Sequence, residues 1–122
     1  MNDPNFISHL LEMLAPLGGV TAKRMFGGHG FFREGLMFGL VADGVFFLKA
    51  DAENAGEFDA LDLPPFTYTK ATGEVYAMSY RQCPEDALEN SAAMTRWAES
   101  AFAAAQRNAK PKKSKKPNRK LP

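Results

Sequence analysis

The chain has 122 residues, 45% of them hydrophobic and 11% aromatic, which suffices for one domain with a modest core and without a metal or disulfide framework. Its single cysteine, Cys83, excludes an internal disulfide, and charges and glycines interrupt each apolar run before the ~18 to 20 residues needed to span a bilayer. The N-terminal residues lack the basic, apolar, small-residue order of a secretory signal, so we expect a cytoplasmic protein.

The net charge of +1 conceals a strong asymmetry along the chain. Residues 107–122 hold eight of the 15 basic residues and no acid, whereas residues 1–106 hold the other seven and all 14 acids. The formal charges of the two parts are therefore +8 and −7. A body with this charge has no overall attraction for nucleic acid, although a local basic patch is compatible with it.

The first element is predicted to be a helix that begins at Asn2-Asp3-Pro4, with Asp3 as the cap and Pro4 in the first turn. Apolar residues then recur at three- and four-residue spacing and end at Pro16 and Gly18-Gly19. His9 lies beside this stripe without a second His or Cys at ligand spacing, so we expect it to be partly exposed.

Val20 to Lys49 is predicted to form an antiparallel meander, because Phe-, Val- and Leu-rich runs alternate with glycine-bearing breaks such as Asp43-Gly44. We count three strands in this segment. Its Phe-Phe and Met-Phe pairs indicate apolar contacts on both faces of the sheet, with helices on one side and a partner or loop on the other.

Asp51 is predicted to cap a short helix, and Pro64-Pro65 leads into a second hairpin with a turn at Thr72-Gly73. Pro84 is expected in the first turn of the longest helix. The resulting order, α-β-β-β-α-β-β-α, predicts an α+β fold with an antiparallel sheet. Residues 1–106 are expected to form the domain, and residues 107–122 a disordered basic tail.

The glycine cluster around His29 admits two interpretations. Arg24, Gly27, Gly28 and His29 could frame an anion or ligand site, as glycine-rich loops do. A strand follows instead of a helix, however, and the Gly-Lys-Ser/Thr pattern of phosphate-binding loops is missing, which favours a bulge or tight bend.

Cys83 also admits two interpretations, as a nucleophile paired with a histidine or as a buried residue near a helix start. No catalytic signature surrounds it, which favours the buried residue. The histidines and the cysteine are too few and too scattered for the usual metal-ligand spacing, so neither a metal nor a cofactor is expected.

The basic tail could contact nucleic acid through a sequence-independent attraction to phosphates, or it could be a solvated terminus. The basic side chains concerned are Arg107, Lys110, Lys112, Lys113, Lys115, Lys116, Arg119 and Lys120.

Several motifs together resemble the TfoX N-terminal domain family over about residues 5 to 105. They are Arg24-Met25-Phe26-Gly27-Gly28-His29-Gly30, Gly35-Leu36-Met37-Phe38, Asp43-Gly44-Val45-Phe46-Phe47-Leu48-Lys49, Pro65-Phe66-Thr67-Tyr68, Met78-Ser79-Tyr80 and Trp97-Ala98. The resemblance implies an α+β fold like that of small secretion-chaperone-type domains. It supplies no catalytic residues.

Members of that family include regulators of natural competence, which carry a further helical domain, and this chain is expected to be a standalone form with a basic tail instead. The leading hypothesis is therefore a non-enzymatic regulatory module that binds a protein partner or a second copy and has no membrane role. Auxiliary nucleic-acid binding by the tail is the alternative. A small enzyme or anion-binding protein that uses Arg24, His29 and Cys83 is the second alternative.

Overall fold

The computed structural model describes residues 4–25 and 27–114, so the expected cap Asp3 lies outside the described residues. The predicted α+β fold is confirmed, with a six-stranded antiparallel sheet in the order β1-β2-β3-β4-β6-β5. The elements are α1 (Pro4–Met13), β1 (Val20–Met25), β2 (Gly28–Arg33), β3 (Leu36–Ala42), β4 (Val45–Lys49), α2 (Ala55–Ala60), β5 (Pro65–Thr69), β6 (Val75–Gln82) and α3 (Ser91–Ser114). Short 3-10 helices lie at Ala15–Leu17 and Glu85–Glu89.

The meander contains four strands, one more than the sequence analysis counts. Both Glu34-Gly35 and Asp43-Gly44 have positive φ at each residue, with values of 52° and 78° in the first pair and 51° and 76° in the second. Two consecutive positive φ values are the geometry of the tightest hairpin turns. Each pair therefore reverses the chain completely and separates two strands.

A β-bulge at Phe38 decides which side chains of β3 face the helices. Phe31 pairs with Gly39 and Phe32 pairs with Met37, which leaves Phe38 as the extra residue. A Cβ atom on Gly39 would lie 2.9 Å from the ring of Phe46, so glycine at this position gives that ring its space in the core.

The helices cover one face of the sheet. Helix α3 contributes small residues at its centre, including the fully buried Ala98 and Ala101, which let it approach the strands closely. The rings of Phe38 and Phe102 meet edge to face, with their centroids 6.3 Å apart. This face holds most of the buried core, and α3 packs mainly on β3.

Helix α3 begins at Ser91 and not near Pro84 as predicted. Asn90 is extended, and its Oδ1 accepts a hydrogen bond of 2.9 Å from the backbone N–H of Ala93, which is the capping geometry of a helix start. The 3-10 helix at Glu85–Glu89 occupies the place of the expected first turns.

The C-terminal part of α3 extends to Ser114, past Gln106, where the sequence analysis ends the folded domain. Arg107 therefore lies within this helix. Its Nε and Nη2 donate hydrogen bonds of 2.7 and 2.8 Å to the carboxylate of Asp51, a bidentate contact that sequence order does not reveal. The rest of the predicted tail, residues 115–122, lies outside the described residues.

Asp51 lies at the turn that leads into α2. Its Oδ1 also accepts hydrogen bonds from the backbone N–H groups of Glu53 and Asn54, so Asp51 stabilises this turn, whereas the N-cap residue of α2 is Asn54 and not the predicted Asp51. The hydrogen bond from Arg107 lowers the pKa of Asp51 from 3.8 to about 2. Asn54, which is buried, donates through Nδ2 to the carbonyl of Lys49 and to Oγ of Ser100. The polar contacts thus join β4, the start of α2 and α3.

Candidate functional site

The sheet face opposite the helices carries a recessed groove of about 520 Å³, which we call the open-face groove. Strands β1, β2, β3, β5 and β6 all contribute to its lining, so the sheet curves around it. The lining residues are Met25, Gly28, His29, Met37, Leu40, Val41, Ala42, Phe66, Tyr68, Met78 and Tyr80.

A small second cluster forms the floor of the groove. Leu40, Phe47 and Tyr80 are buried there, and the ring of Phe66 packs on Phe47 with their centroids 5.1 Å apart. The hydroxyl of Tyr80 donates a hydrogen bond of 3.3 Å to the carbonyl of Met37, and burial raises the pKa of this tyrosine to about 12. The floor is therefore fixed by contacts within the chain.

The hairpin of β5 and β6 forms one wall of the groove and remains largely exposed. The chain reverses where the N–H of Lys70 donates to the carbonyl of Glu74. Tyr68 and Tyr76 are cross-strand partners with ring centroids 5.8 Å apart, and they are 43% and 41% exposed. Met78 on the same face is 40% exposed. This wall therefore presents aromatic and thioether groups to solvent.

Gly30 sets the shape of the opposite wall. A Cβ atom on this residue would lie 2.6 Å from Sδ of Met25 and 2.7 Å from Sδ of Met37. Both sulfur atoms therefore rest against the backbone of β2, where any larger residue would displace them. Flexible methionine side chains adapt well to irregular apolar partners.

The site residues expected near the glycine cluster are only partly brought together. Arg24 and His29 are cross-strand neighbours, and Gly27 has a φ of 73° between their strands. Arg24 is exposed, whereas His29 lines the groove and its buried Nδ1 has no hydrogen-bond partner among the described residues. The site formed by Arg24, Gly27, Gly28 and His29 stays a prediction.

Gly28 has a packing role. A Cβ atom there would lie 2.1 Å from the carbonyl oxygen of Val41, so β2 and β3 approach each other more closely than any side chain permits.

Cys83 is in the core on the helix side of the sheet and is not among the residues that line the groove. Burial raises the pKa of its thiol to about 12, which disfavours the reactive thiolate. His9 is exposed, and its Nε2 lies 2.7 Å from the carbonyl oxygen of Leu88. Within residues 4–25 and 27–114, no group of three His, Cys, Asp or Glu side chains could hold a metal ion.

The structure adds functional candidates that the sequence analysis did not single out, namely Met25, Met37, Tyr68, Tyr76 and Met78. The signal for two of them, Tyr76 and Met78, was present in the sequence. Tyr76, Met78 and Tyr80 alternate along β6 and therefore share one face of the sheet. Their exposure could not be read from the pattern, because it depends on the lack of a helix over that face.

Comparison with protein families matches residues 12–105, a segment that includes the whole open-face groove, to the TfoX N-terminal domain. The chain belongs to the TfoX N-terminal domain family. The predicted resemblance is thereby confirmed.

Among curated proteins, the DNA transformation protein TfoX1 of Aliivibrio fischeri is 36% identical over 70 residues. The matched segment is 54% of this chain and 34% of that relative, so the chain corresponds to about a third of the relative's length. No helix among the described residues of this TfoX N-terminal domain is long and apolar enough to cross a membrane.

Proposed function

We propose that this TfoX N-terminal domain is a non-enzymatic regulatory module that binds a protein partner through its open face. One observation carries the proposal. An apolar groove of about 520 Å³ lies beside a hairpin that holds four of the five exposed large hydrophobic residues of the described chain. They are Tyr68, Val75, Tyr76 and Met78, with Leu61 as the fifth.

The physical argument rests on the cost of exposed apolar surface. Single exposed apolar side chains are ordinary, but contiguous patches mark binding surfaces because water disfavours them until a partner covers them. The rings of Tyr68 and Tyr76 suit this role, since aromatic side chains dominate interface energies. The position of Cys83, buried outside the groove with a raised thiol pKa, supports a function other than cysteine catalysis.

The family and the relative support a regulatory role. The matching relative is named for DNA transformation, so transformation frequency is a suitable cellular readout for loss of this chain. The partner is either another protein or a second copy of the chain, and light scattering after size exclusion distinguishes the two.

The experiment compares three tagged proteins in quantitative pull-downs from the native host. These are the wild type, the double variant Tyr68→Ala/Tyr76→Ala, and the control Leu61→Ala, which removes an exposed hydrophobic residue (54% exposed) that does not line the groove. We expect the double variant to lose a partner that the wild type and the control retain. Identical sets of retained proteins, with every protein monomeric, would contradict the proposal.

A second candidate function is nucleic-acid binding by the basic C-terminal segment, which is supported by its formal charge of +8. The test replaces Lys112, Lys113, Lys115, Lys116 and Lys120 with serine and keeps Arg107, because Arg107 binds Asp51 in the folded domain. DNA affinity should fall with these replacements and with added salt. Equal affinity at low salt would remove this candidate.

A further inference from the structure

The charges of the sheet differ from those of the rest of the domain. None of the acidic residues lies in any of the six strands, whereas the strands contain Lys23, Arg24, Arg33, Lys49 and Arg81. The acids of the described residues occur instead on the helices, on the 3-10 helix after β6 and in connecting turns. The sheet is therefore a basic surface in a domain body of charge −7.

Three lysines, two in the strands and Lys70 directly after β5, lie over aromatic rings. The Nζ atoms of Lys23, Lys49 and Lys70 lie 5.7, 5.0 and 4.7 Å from the ring centroids of Phe32, Tyr80 and Tyr76, in that order. None of these lysines forms an ion pair within 4 Å among the described residues.

Arg33 and Arg81 already have partners within the domain. Arg33 donates to the carbonyl of Gly18. Arg81 donates to the carbonyl of Leu63 and forms an ion pair with Asp59. Desolvation lowers the pKa of Lys49, partly offset by Asp51. Arg24 follows Lys23 in β1 and therefore points to the other face of the sheet, so Lys23 and Lys70 remain as the clearest sites for an acidic partner on the open face.

Strand β5 is a free edge of the sheet. Lys70 donates its N–H toward the β6 side, so alternation along the strand turns the N–H groups of Thr67 and Thr69 outward. Residues 65–69 contain no charged side chain, whereas the other edge strand, β1, carries Lys23 and Arg24. Charges on an edge strand disfavour pairing with another chain, and residues 67–69 lack that protection, whereas Pro65 and the bulge beside it protect the start of β5.

A second cleft of about 410 Å³ runs along this edge and shares Ala42, Phe66 and Tyr68 with the open-face groove. Gly27 and Asp43 bound it on the far side. A cleft of this size, closed opposite the edge strand, suits one extended segment better than the whole sheet of a second copy. The carboxylate of Asp43 repels acidic groups of a ligand. We therefore expect those groups nearer Lys23 and Lys70.

We propose, resting on the proposed function, that the partner supplies an extended peptide with apolar side chains at alternate positions and acidic residues flanking them. This peptide forms an added strand by pairing with the outward backbone N–H groups of Thr67 and Thr69. Its alternate side chains enter the open-face groove, because successive residues of a strand point to opposite faces. The flanking carboxylates bind Lys23 and Lys70.

The test uses a fluorescein-labelled ten-residue peptide in which valine and phenylalanine alternate with serine between two glutamates at each end. Its affinity for the full chain is measured by fluorescence anisotropy. Two further peptides carry lysine in place of the glutamates, or N-methyl groups on the backbone nitrogens that face β5. We expect each change to weaken binding about tenfold, since each removes a set of charged or backbone hydrogen bonds.

The matching protein variants are Lys23→Glu/Lys70→Glu, which should weaken binding of the glutamate peptide about tenfold, and Arg96→Glu on the exposed side of α3, which should leave it unchanged. If the N-methylated peptide binds as tightly as the unmodified glutamate peptide, the added strand is overturned. If the lysine peptide binds as tightly as the glutamate peptide, the charge preference is overturned. Tighter binding of a twelve-nucleotide oligothymidine at the same lysines overturns the peptide in favour of nucleic acid. If none of the probes binds, this inference fails, whereas the pull-down tests the open face independently.

Discussion

The two faces of one sheet differ in how far their apolar residues are buried. On the helix side, Phe31, Phe38 and Leu48 are fully buried beneath α3 and its neighbours. On the open side, Met78 and Tyr68 are at least 40% exposed beside a groove. The apolar residues of the first face stabilise the fold, whereas those of the second face remain available to a partner.

The difference does not follow from the phenylalanine and leucine content of the strands, since both faces receive these residues from the same segments. It follows from where the helices pack and from the bulge at Phe38, which gives the helix side an extra aromatic residue. An apolar strand residue is therefore covered by the helices or lies on the open face according to which side of the sheet it occupies.

Truncation of a buried ring on the helix side should have the largest effect. Phe38→Ala removes a side chain that is 0% exposed and contacts Phe102, so we expect the free energy of unfolding to fall by about 3 to 5 kcal/mol. Met78→Ala on the open face should lower it by less than about 1 kcal/mol, because this side chain is 40% exposed. Urea unfolding checks both, and equal losses would show that the two faces do not differ.

The apolar character of both faces could be predicted from the sequence, because neighbouring pairs such as Phe31-Phe32 and Met37-Phe38 point to opposite sides in a regular strand. The hairpin turn at Asp43-Gly44 could also be predicted, because a positive φ at both residues is a property of short turns and depends only on the turn itself. The bulge at Phe38 was not predictable, because it arises from the register with β2 and leaves no local signal.

Two glycine substitutions sharpen the comparison. Gly39→Ala places a methyl group against the ring of Phe46 and the carbonyl of Phe47, so overpacking should lower the free energy of unfolding by about 1 to 3 kcal/mol. Gly30→Ala meets the side chains of Met25 and Met37, which can move, so its loss should be smaller. Thermal and urea unfolding measure both losses. A larger loss for Gly30→Ala would contradict the assignment of a rigid and an adaptable face.

The contact between Asp51 and Arg107 predicts a smaller, pH-dependent effect on the helix side. The pKa of Asp51 is lowered in the folded state from 3.8 to about 2, so its stabilising contribution is present above pH ~4 and is lost as the pH falls through about 2. Arg107→Gln should therefore lower the free energy of unfolding at neutral pH, by less than Phe38→Ala does.

Unfolding of the wild type and of Arg107→Gln across pH 2 to 7 checks this prediction, with Arg96→Gln as a control because Arg96 is an exposed arginine of the same helix. The difference between wild type and Arg107→Gln should shrink toward pH 2. A difference that is constant over this range would contradict the stabilisation of the Asp51 carboxylate by Arg107.

This ion pair also shows why part of the structure could not be predicted from the sequence. The two residues are 56 positions apart, and Arg107 begins a segment whose composition is typical of a disordered tail. Only the packing of α3 against β4 and the turn before α2 brings them together. The open-face groove depends in the same way on the path of the β5–β6 hairpin, and local patterns do not specify that path.

Methionine methyl NMR tests the central claim most directly, because the chain has methionines on both faces. With the glutamate-flanked peptide added, the methyl signals of Met25, Met37 and Met78 in the open-face groove should shift, and the signal of Met94, which is fully buried on the helix side, should not. This result would identify the open face as the binding surface. Binding that shifts Met94 and leaves the three groove methionines unchanged would contradict it.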